Sequence, residues 1–531
     1  MAFVPIEGVG AVGIVHDRPS YTLPPEAWSD GNNVKFANSN AYKAGGQEQV
    51  YGTLNAEPYF LLPWNYSSEY RWLYAAADEI HYTDGSSHTN VTRYTTTPGD
   101  DDYSAGSNPN WTGGVLSGVP ILNHDNGTDY PQQWDAGNSR FADLSNWPAN
   151  VYCKAISLYK NFIIAYDITK SAVNYPYLVK WSDVADPGTV PGSWDETDAT
   201  VLAGENPLSD TDGKVLNGLQ LGDTNVVYKQ DSIINMNFVG GVNVFGFRTA
   251  TNVIGAVGKK AMASFMKRHI VVGEYDVVQY DGYQVQTIID ERNRKYLFGS
   301  MSDTYKARTV VQVNYANQEV WIGYVGVDST TGALDKLAVW HWDNDTWSFS
   351  DLPSIAYFVS GKVVSDVTAF DSLSGTFDAL SGSFNSLAAS LEQGFLMGKV
   401  EGGNAILHRD AAYTDQGTNY TSFLERTGLC VVGVDRAGRP IVDQTKVKFV
   451  RAVFPKISAP NGFTLSISLG ASDTPDGTVD WEGPYDFTVG TDLKVDFMVS
   501  GKYLAIRFEE TSDQPWELAG YTLDMDIISE L

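Results

Sequence analysis

One hairpin layout recurs along this chain: a short apolar run, a polar turn, a second short apolar run and a closing turn. Trp72-Leu73-Tyr74-Ala75 passes through Asp78-Glu79 into Ile80-His81-Tyr82 and Asp84-Gly85. Ile270-Val271-Val272 passes through Glu274-Tyr275-Asp276 into Val277-Val278-Gln279-Tyr280 and Asp281-Gly282. Asn225-Val226-Val227-Tyr228 with Ile233-Ile234, and Phe395-Leu396-Met397 with Ala405-Ile406-Leu407-His408, repeat it across Gln230-Asp231 and Gly402-Gly403. The likeness is one of pattern, not of residue identity. A small sheet of this kind cannot bury both faces alone, so the pattern suits blades stacked around an axis, with only short edges left exposed. The expectation is an all-β chain with a β-propeller over residues 51–442.

Residues 309–352 read as one whole blade. Thr309–Val313, Glu319–Tyr324, Lys336–Trp342 and Trp347–Phe349 form a four-strand meander, and Asp343-Asn344-Asp345-Thr346 supplies its last turn. In the third strand Ala338, Trp340 and Trp342 share one face by period two, while Leu337, Val339 and His341 share the other. Both faces therefore need cover, as in a blade between two neighbours. Length agrees, because 531 residues exceed the roughly 250–300 at which a single core stops growing unless the fold is a ring of repeats. Fifty glycines and 13% aromatics, with only 19% charged residues, suit short strands and tight turns rather than long helices.

Two units flank the propeller. Residues 1–50 read as an extended N-terminal arm, with one short helical turn started by Pro24-Pro25 ahead of Ala27-Trp28, and a strand at Asn33–Phe36. Trp28 and Phe36 are too large for a segment without its own core, so the arm must pack against a neighbour or close the propeller. From about residue 447 the pattern becomes strict alternation, as in Phe463, Leu465, Ile467 and Leu469, then Leu493, Val495, Phe497 and Val499. Leu504–Phe508 and Tyr521–Ile527 continue it, giving some six half-buried antiparallel strands and a C-terminal β-sandwich over residues 443–531. Phe370-Asp371-Ser372-Leu373, Phe377-Asp378-Ala379-Leu380 and Phe384-Asn385-Ser386-Leu387 recur every seven residues. Ser374-Gly375 and Ser381-Gly382 between them break a helix, so residues 370–387 read as an irregular surface loop.

Composition and motif spacing exclude several chemistries. A formal charge of −28 argues against grip on nucleic-acid phosphate or on anionic membrane. Cys153 and Cys430 have no paired spacing and read as buried thiols. The chain opens without a secretion-signal pattern, and no apolar stretch has membrane-spanning length, so no membrane anchor is expected. Gly8-Val9-Gly10-Ala11-Val12-Gly13 matches a dinucleotide fingerprint in letters only, because Pro19 and Pro24-Pro25 forbid the helix that would follow. Gly255-Ala256-Val257-Gly258-Lys259-Lys260 fails as a phosphate loop, with Val253 at the first glycine and Lys260 at the magnesium-binding hydroxyl. His16, His81, His88, His124, His269, His341 and His408 stand singly, without metal-site spacing. Asp100-Asp101-Asp102 reads as a solvated loop before a calcium site. Glu509-Glu510 and Asp524 with Asp526 are the acid pairs that chance provides in an acidic chain. Asn90-Val91-Thr92 and Asn419-Tyr420-Thr421 read as turn formers rather than glycan acceptors. No catalytic, cofactor-binding or metal-ligating residue is assigned, and the chain is not expected to be an enzyme.

Gly13-Ile14-Val15-His16-Asp17, then Leu23–Phe36 and Gly45-Gly46, resemble the opening of the tail nozzle proteins of short-tailed double-stranded DNA phages, the tail tubular protein B family. Val119–Asn123, Pro131–Trp134, Leu158–Phe162, Val179–Asp183, the Phe-Asp-x-Leu repeats and Leu424-Glu425-Arg426-Thr427 are similar to it in the same order, and the likeness is weakest after residue 447. The resemblance implies a structural protein of the virion tail, assembled in the host cytoplasm. It would form a homohexamer below the tail adaptor, with tail fibres or a tip or needle protein docked outside and no cofactor. Six copies would multiply the charge of −28 around a channel whose acidic walls let DNA pass without sticking. The alternatives are a propeller glycosidase, needing carboxylates and arginines converging at the axis, and a glycan-binding adhesin of a tail tip.

Overall fold

The computed structural model describes residues 2–363 and 392–530, apart from Ser68, Asp100, Ser107, Asn108 and Val242. The repeats at 370–387 lie outside the described residues. Strand dominates the rest, and five antiparallel four-stranded sheets follow one another along the chain between Phe60 and Thr287. A sixth blade begins at Val310–Asn314, Glu319–Tyr324 and Leu334–His341, and it ends in the long strand Thr346–Val363. That strand belongs to two blades. Its first half pairs with Leu334–His341 and its second half with Glu392–Lys399, with ladder shifts where the halves meet at Ile355. Ser354 sits there with φ of 55°, which turns the strand from the outer edge of blade six into the innermost strand of blade seven.

Blade seven is completed by Ala405–Arg409 and then by Gln47–Val50 from the N-terminal arm. The ring is thus closed by strands some 360 residues apart, with Arg409 Nη1 donating to Gln47 Oε1 at 2.8 Å. The innermost strands adjoin in sequence from Phe60–Tyr66 through Trp111–Leu116, Val151–Tyr159, Val215–Leu221, Met262–Phe265 and Val310–Asn314 to Thr346–Val363, which returns to the first. This is a seven-bladed propeller.

The four hairpins of the sequence pattern are the middle strands of blades one, four, five and seven. Period two in blade six works as expected. Ala338 and Trp340 belong to one buried cluster, where Trp340 meets Phe265 of blade five. Leu337 and Val339 belong to another, shared with Phe358 and Phe395 of blade seven. Each blade therefore hides both faces against its neighbours.

The sandwich contains the six strands expected between Lys446 and Glu530, but both ends of the chain build it. Ala2–Glu7, Val34–Ala37 and Asn40–Lys43 join the sheet of Lys446–Ser458, Val495–Gly501 and Glu517–Glu530. Asp30–Asn32 and Ser422–Leu429 join the facing sheet of Thr464–Ser472, Asp480–Thr488 and Tyr503–Glu510. Two expected boundaries therefore move. Residues 1–50 are not a separate arm, and the sandwich begins at Ser422 rather than near Asp443, because the backbone groups of these segments find their ladder partners there. Trp28 is 1% exposed, stacks edge-on against Phe508 and donates from Nε1 to Val9 O at 2.7 Å. The helical turn is also displaced. It lies at Ser20–Thr22, ahead of Pro24, and Pro24–Ala27 form a single tight turn instead.

One buried core runs without a break from blades five and six into the sandwich. A short helix, Arg294–Ser300, lies at this junction, and Asp17 accepts from its Lys295 and Tyr296 amides at 2.5 and 3.0 Å. His16 stacks on Tyr296 with ring centroids 3.6 Å apart.

Candidate functional site

A cavity of about 770 Å³ lies on the propeller axis where the innermost strands begin, and all seven blades contribute to its wall. Its titratable lining is mostly cationic, with Lys154, Lys214, Lys259, Lys260 and Arg308 against Asp125, Asp167 and Glu401. Two of the lysines arrive on the loop that fails as a phosphate loop. Gly255 and Gly258 let this loop pass where a side chain has no room. A Cβ at Gly255 would stand 2.1 Å from Lys229 O, and one at Gly258 would stand 2.2 Å from Ala307 O. Lys260 O then accepts from Val311 N at 2.9 Å, which anchors the loop to the innermost strand of blade six.

The charges are not equally satisfied. Asp125 is held by Lys259, and Lys154 Nζ lies 3.2 Å from its Oδ1. Asp167 accepts from Asn174 Nδ2 at 2.7 Å. Arg308 Nη1 donates to Gly332 O at 2.6 Å. Lys260 sits against two rings, with Nζ 5.2 Å from the Phe60 centroid and 4.7 Å from that of Tyr357. Among the described residues Lys214, Lys260 and Arg308 form no ion pair. Burial, helped by the neighbouring Lys259 ammonium, pulls the Lys260 amine down to about 7. Burial also lowers Lys259, where Asp125 opposes it, and Arg308.

This geometry does not resemble a glycosidase pair, since Asp125 is neutralised by two lysines and a single arginine reaches the cavity. It is a polar chamber with spare positive charge. Sequence reading met Lys259 and Lys260 only as a motif that failed, and nothing local marks Lys214 or Arg308. The convergence of loops around an axis brings them together.

The other residues weighed from sequence have structural partners. Gly8–Gly13 follows the strand Ala2–Glu7 and leads to no helix; Gly10 lies so close to Asn40 that a Cβ would meet its carbonyl oxygen at 2.2 Å. Arg93 gathers Asp101, Asp129 and Asp143 at 3.3, 2.5 and 2.6 Å, whereas Asp100 lies outside the described residues. Arg451 clasps Asp524 and Asp526 at 2.9 and 2.6 Å. Glu509 pairs with Arg507 at 2.5 Å, and Glu510 with Lys43 at 2.6 Å. Asn90 Oδ1 accepts from Thr92 N at 2.8 Å, a local turn contact. His81, His124 and His269 rest against Tyr74, Trp111 and Tyr228. Among the described residues no three His, Cys, Asp or Glu side chains cluster as metal ligands would, and no helix is long and apolar enough to cross a membrane. Cys153 and Cys430 are both buried and unpaired.

No family model matches the chain, and no curated protein matches it. Among solved structures it is similar to the computationally designed Ika8 protein, at 10% identity over 68% of this chain and 100% of that one, with a TM-score of 0.35. A chain of a mitotic checkpoint complex is similar at 11% identity over 60% and 88%, with a TM-score of 0.35. Raptor of Chaetomium thermophilum is similar at 8% identity over 69% of this chain and 29% of its own length, with a TM-score of 0.39. At such TM-scores these likenesses bear on neither mechanism nor partners.

Proposed function

We propose that this chain is a structural component of a short-tailed phage tail, a nozzle subunit that assembles as a homohexamer below the tail adaptor. The observation that supports the reading is where its motifs meet. Asp30–Asn32, within the Leu23–Phe36 motif, pairs as a β-strand with the Leu424–Thr427 motif, Gly31 opposite Leu424 and Asp30 opposite Glu425. Arg426 of the second motif donates from Nη1 to Ser20 O and from Nη2 to Leu23 O, at 2.8 and 2.9 Å. Asn33 donates from its amide to Phe349 O at 2.9 Å and from Nδ2 to Thr421 O at 2.8 Å, tying both motifs to blade six. Asn293 Nδ2 donates to Ile14 O at 2.8 Å within the Gly13–Asp17 motif. Residues far apart in sequence thus form one junction that sets the propeller against the sandwich, a geometric role suited to a ring subunit.

Self-assembly also needs apolar surface. Val253, after the last strand of blade four, and Tyr275, in a turn of blade five, are 86 and 75% exposed. The charge of −28 supports a channel that repels DNA rather than binding it.

The test is oligomeric state by light scattering and electron microscopy, with and without the tail adaptor. Six copies in a ring on the adaptor are expected. A chain that stays monomeric with the adaptor, or that releases or binds host glycan, would replace the nozzle with an enzyme or adhesin reading. Retention of duplex DNA at low salt would refute the repelling channel.

A further inference from the structure

We propose that the axial cavity binds a small dianionic oxyanion of the phosphate, phosphate-monoester or sulfate class, held by Lys260, Lys214 and Arg308. Three independent features of the chamber lead to this ligand. Its volume of about 770 Å³ falls within the roughly 300–1,000 Å³ typical of small-molecule sites. Its charge runs against that of the molecule, with five cationic side chains and three carboxylates in the wall of a chain carrying −28. Finally, the cations least satisfied by protein groups are those without a carboxylate partner.

Asp125 already serves Lys154 and Lys259, so it has little to offer a third ammonium. Lys260 is enclosed against the rings of Phe60 and Tyr357, and a desolvated cation without a counter-ion is costly. An oxyanion supplies that counter-charge. Arg308 keeps donors beyond the one given to Gly332, and its planar fork suits tetrahedral oxyanions. Lys214 stands exposed just before the innermost strand of blade four and lines the same cavity as Lys260 and Arg308. Burial and Lys259 hold the Lys260 amine at about 7, so a bound anion draws a proton onto it.

The site is independent of the nozzle assembly and is tested on the intact chain by itself. Lysines are acetylated with a limiting neutral acetyl ester, and modification of Lys260 is read by peptide mass spectrometry at constant ionic strength. Inorganic phosphate, sulfate and glycerol 2-phosphate are the probes, with chloride as the control. Each probe should protect Lys260 saturably while chloride does not, and Lys214→Met and Arg308→Met should each weaken protection about tenfold. Lys214 is exposed, so its variant remains informative if Arg308→Met fails to fold. In a melting assay Lys260→Met should abolish the saturable rise in melting temperature given by phosphate. Protection that chloride reproduces, protection unchanged in Lys214→Met, or a phosphate-dependent rise retained in Lys260→Met would overturn the site.

Discussion

Lys43 and Glu510 offer the sharpest test of how the two ends of the chain are joined. Their side chains are both 0% exposed, with Nζ 2.6 Å from Oε1. Lys43 also donates to Ser512 O at 2.5 Å and lies 4.6 Å from the Tyr420 ring centroid. Glu510 accepts from Ser422 Oγ at 2.8 Å and from the amide and hydroxyl of Ser512 at 2.8 and 2.6 Å. Lys43→Met leaves a buried carboxylate without its cation, a change that costs about 3–5 kcal/mol. The three remaining donors soften the loss, so about 3 kcal/mol is expected. Glu510→Gln leaves the lysine uncompensated at a similar cost. The double variant removes both charges, and it should cost about as much as one single change, a coupling of about 3 kcal/mol. Guanidinium unfolding read by tryptophan fluorescence, with hydrogen exchange at Asn40–Lys43, measures all three. Single costs below about 1 kcal/mol, or a double variant equal to the sum of the two, would show that the pair does not hold the arm as described.

Glu319 gives a pH test. Burial and the nearby Asp410 raise its carboxyl to about 7 in the folded chain, against an ordinary value of 4.5. Its stabilising proton is fully present below pH 4.5 and is lost as pH rises through 7, a swing of about 3 kcal/mol. Glu319→Gln, which can still accept from Trp321 Nε1, should flatten the fall in melting temperature between pH 5 and 8; parallel curves would refute this. Gly255→Ala should cost more than the about 1–3 kcal/mol of ordinary overpacking, because its Cβ meets backbone oxygen rather than a movable side chain. Equal melting temperatures for the parent and this variant would show that the loop has room to shift. Deleting residues 1–50 should expose the ladder of Ala405–Arg409 to rapid hydrogen exchange and strip three strands from one sandwich sheet. Unchanged exchange at 405–409 would mean that Gln47–Val50 does not close the ring.

Local pattern revealed much of this molecule. Alternation at 337–341 announced a blade covered on both faces, and alternation at 463–469 announced a strand buried on one, because the period of two is a property of the strand itself. Blade number, ring closure and the true edge of the sandwich were not readable from such pattern. Gln47–Val50 finds Ala405–Arg409, and Asp30–Asn32 finds Ser422–Leu429, through ladders that leave no mark on either segment alone. The axial chamber belongs with them. Lys260 looks like any surface lysine beside another, and only the loops converging from seven blades make it a desolvated cation. What the sequence determined was which segments would be strands and which faces they would bury, since these follow from neighbours along the chain. Only tertiary structure decided which strands would meet and which charges would share a cavity, since those depend on contacts between residues hundreds of positions apart.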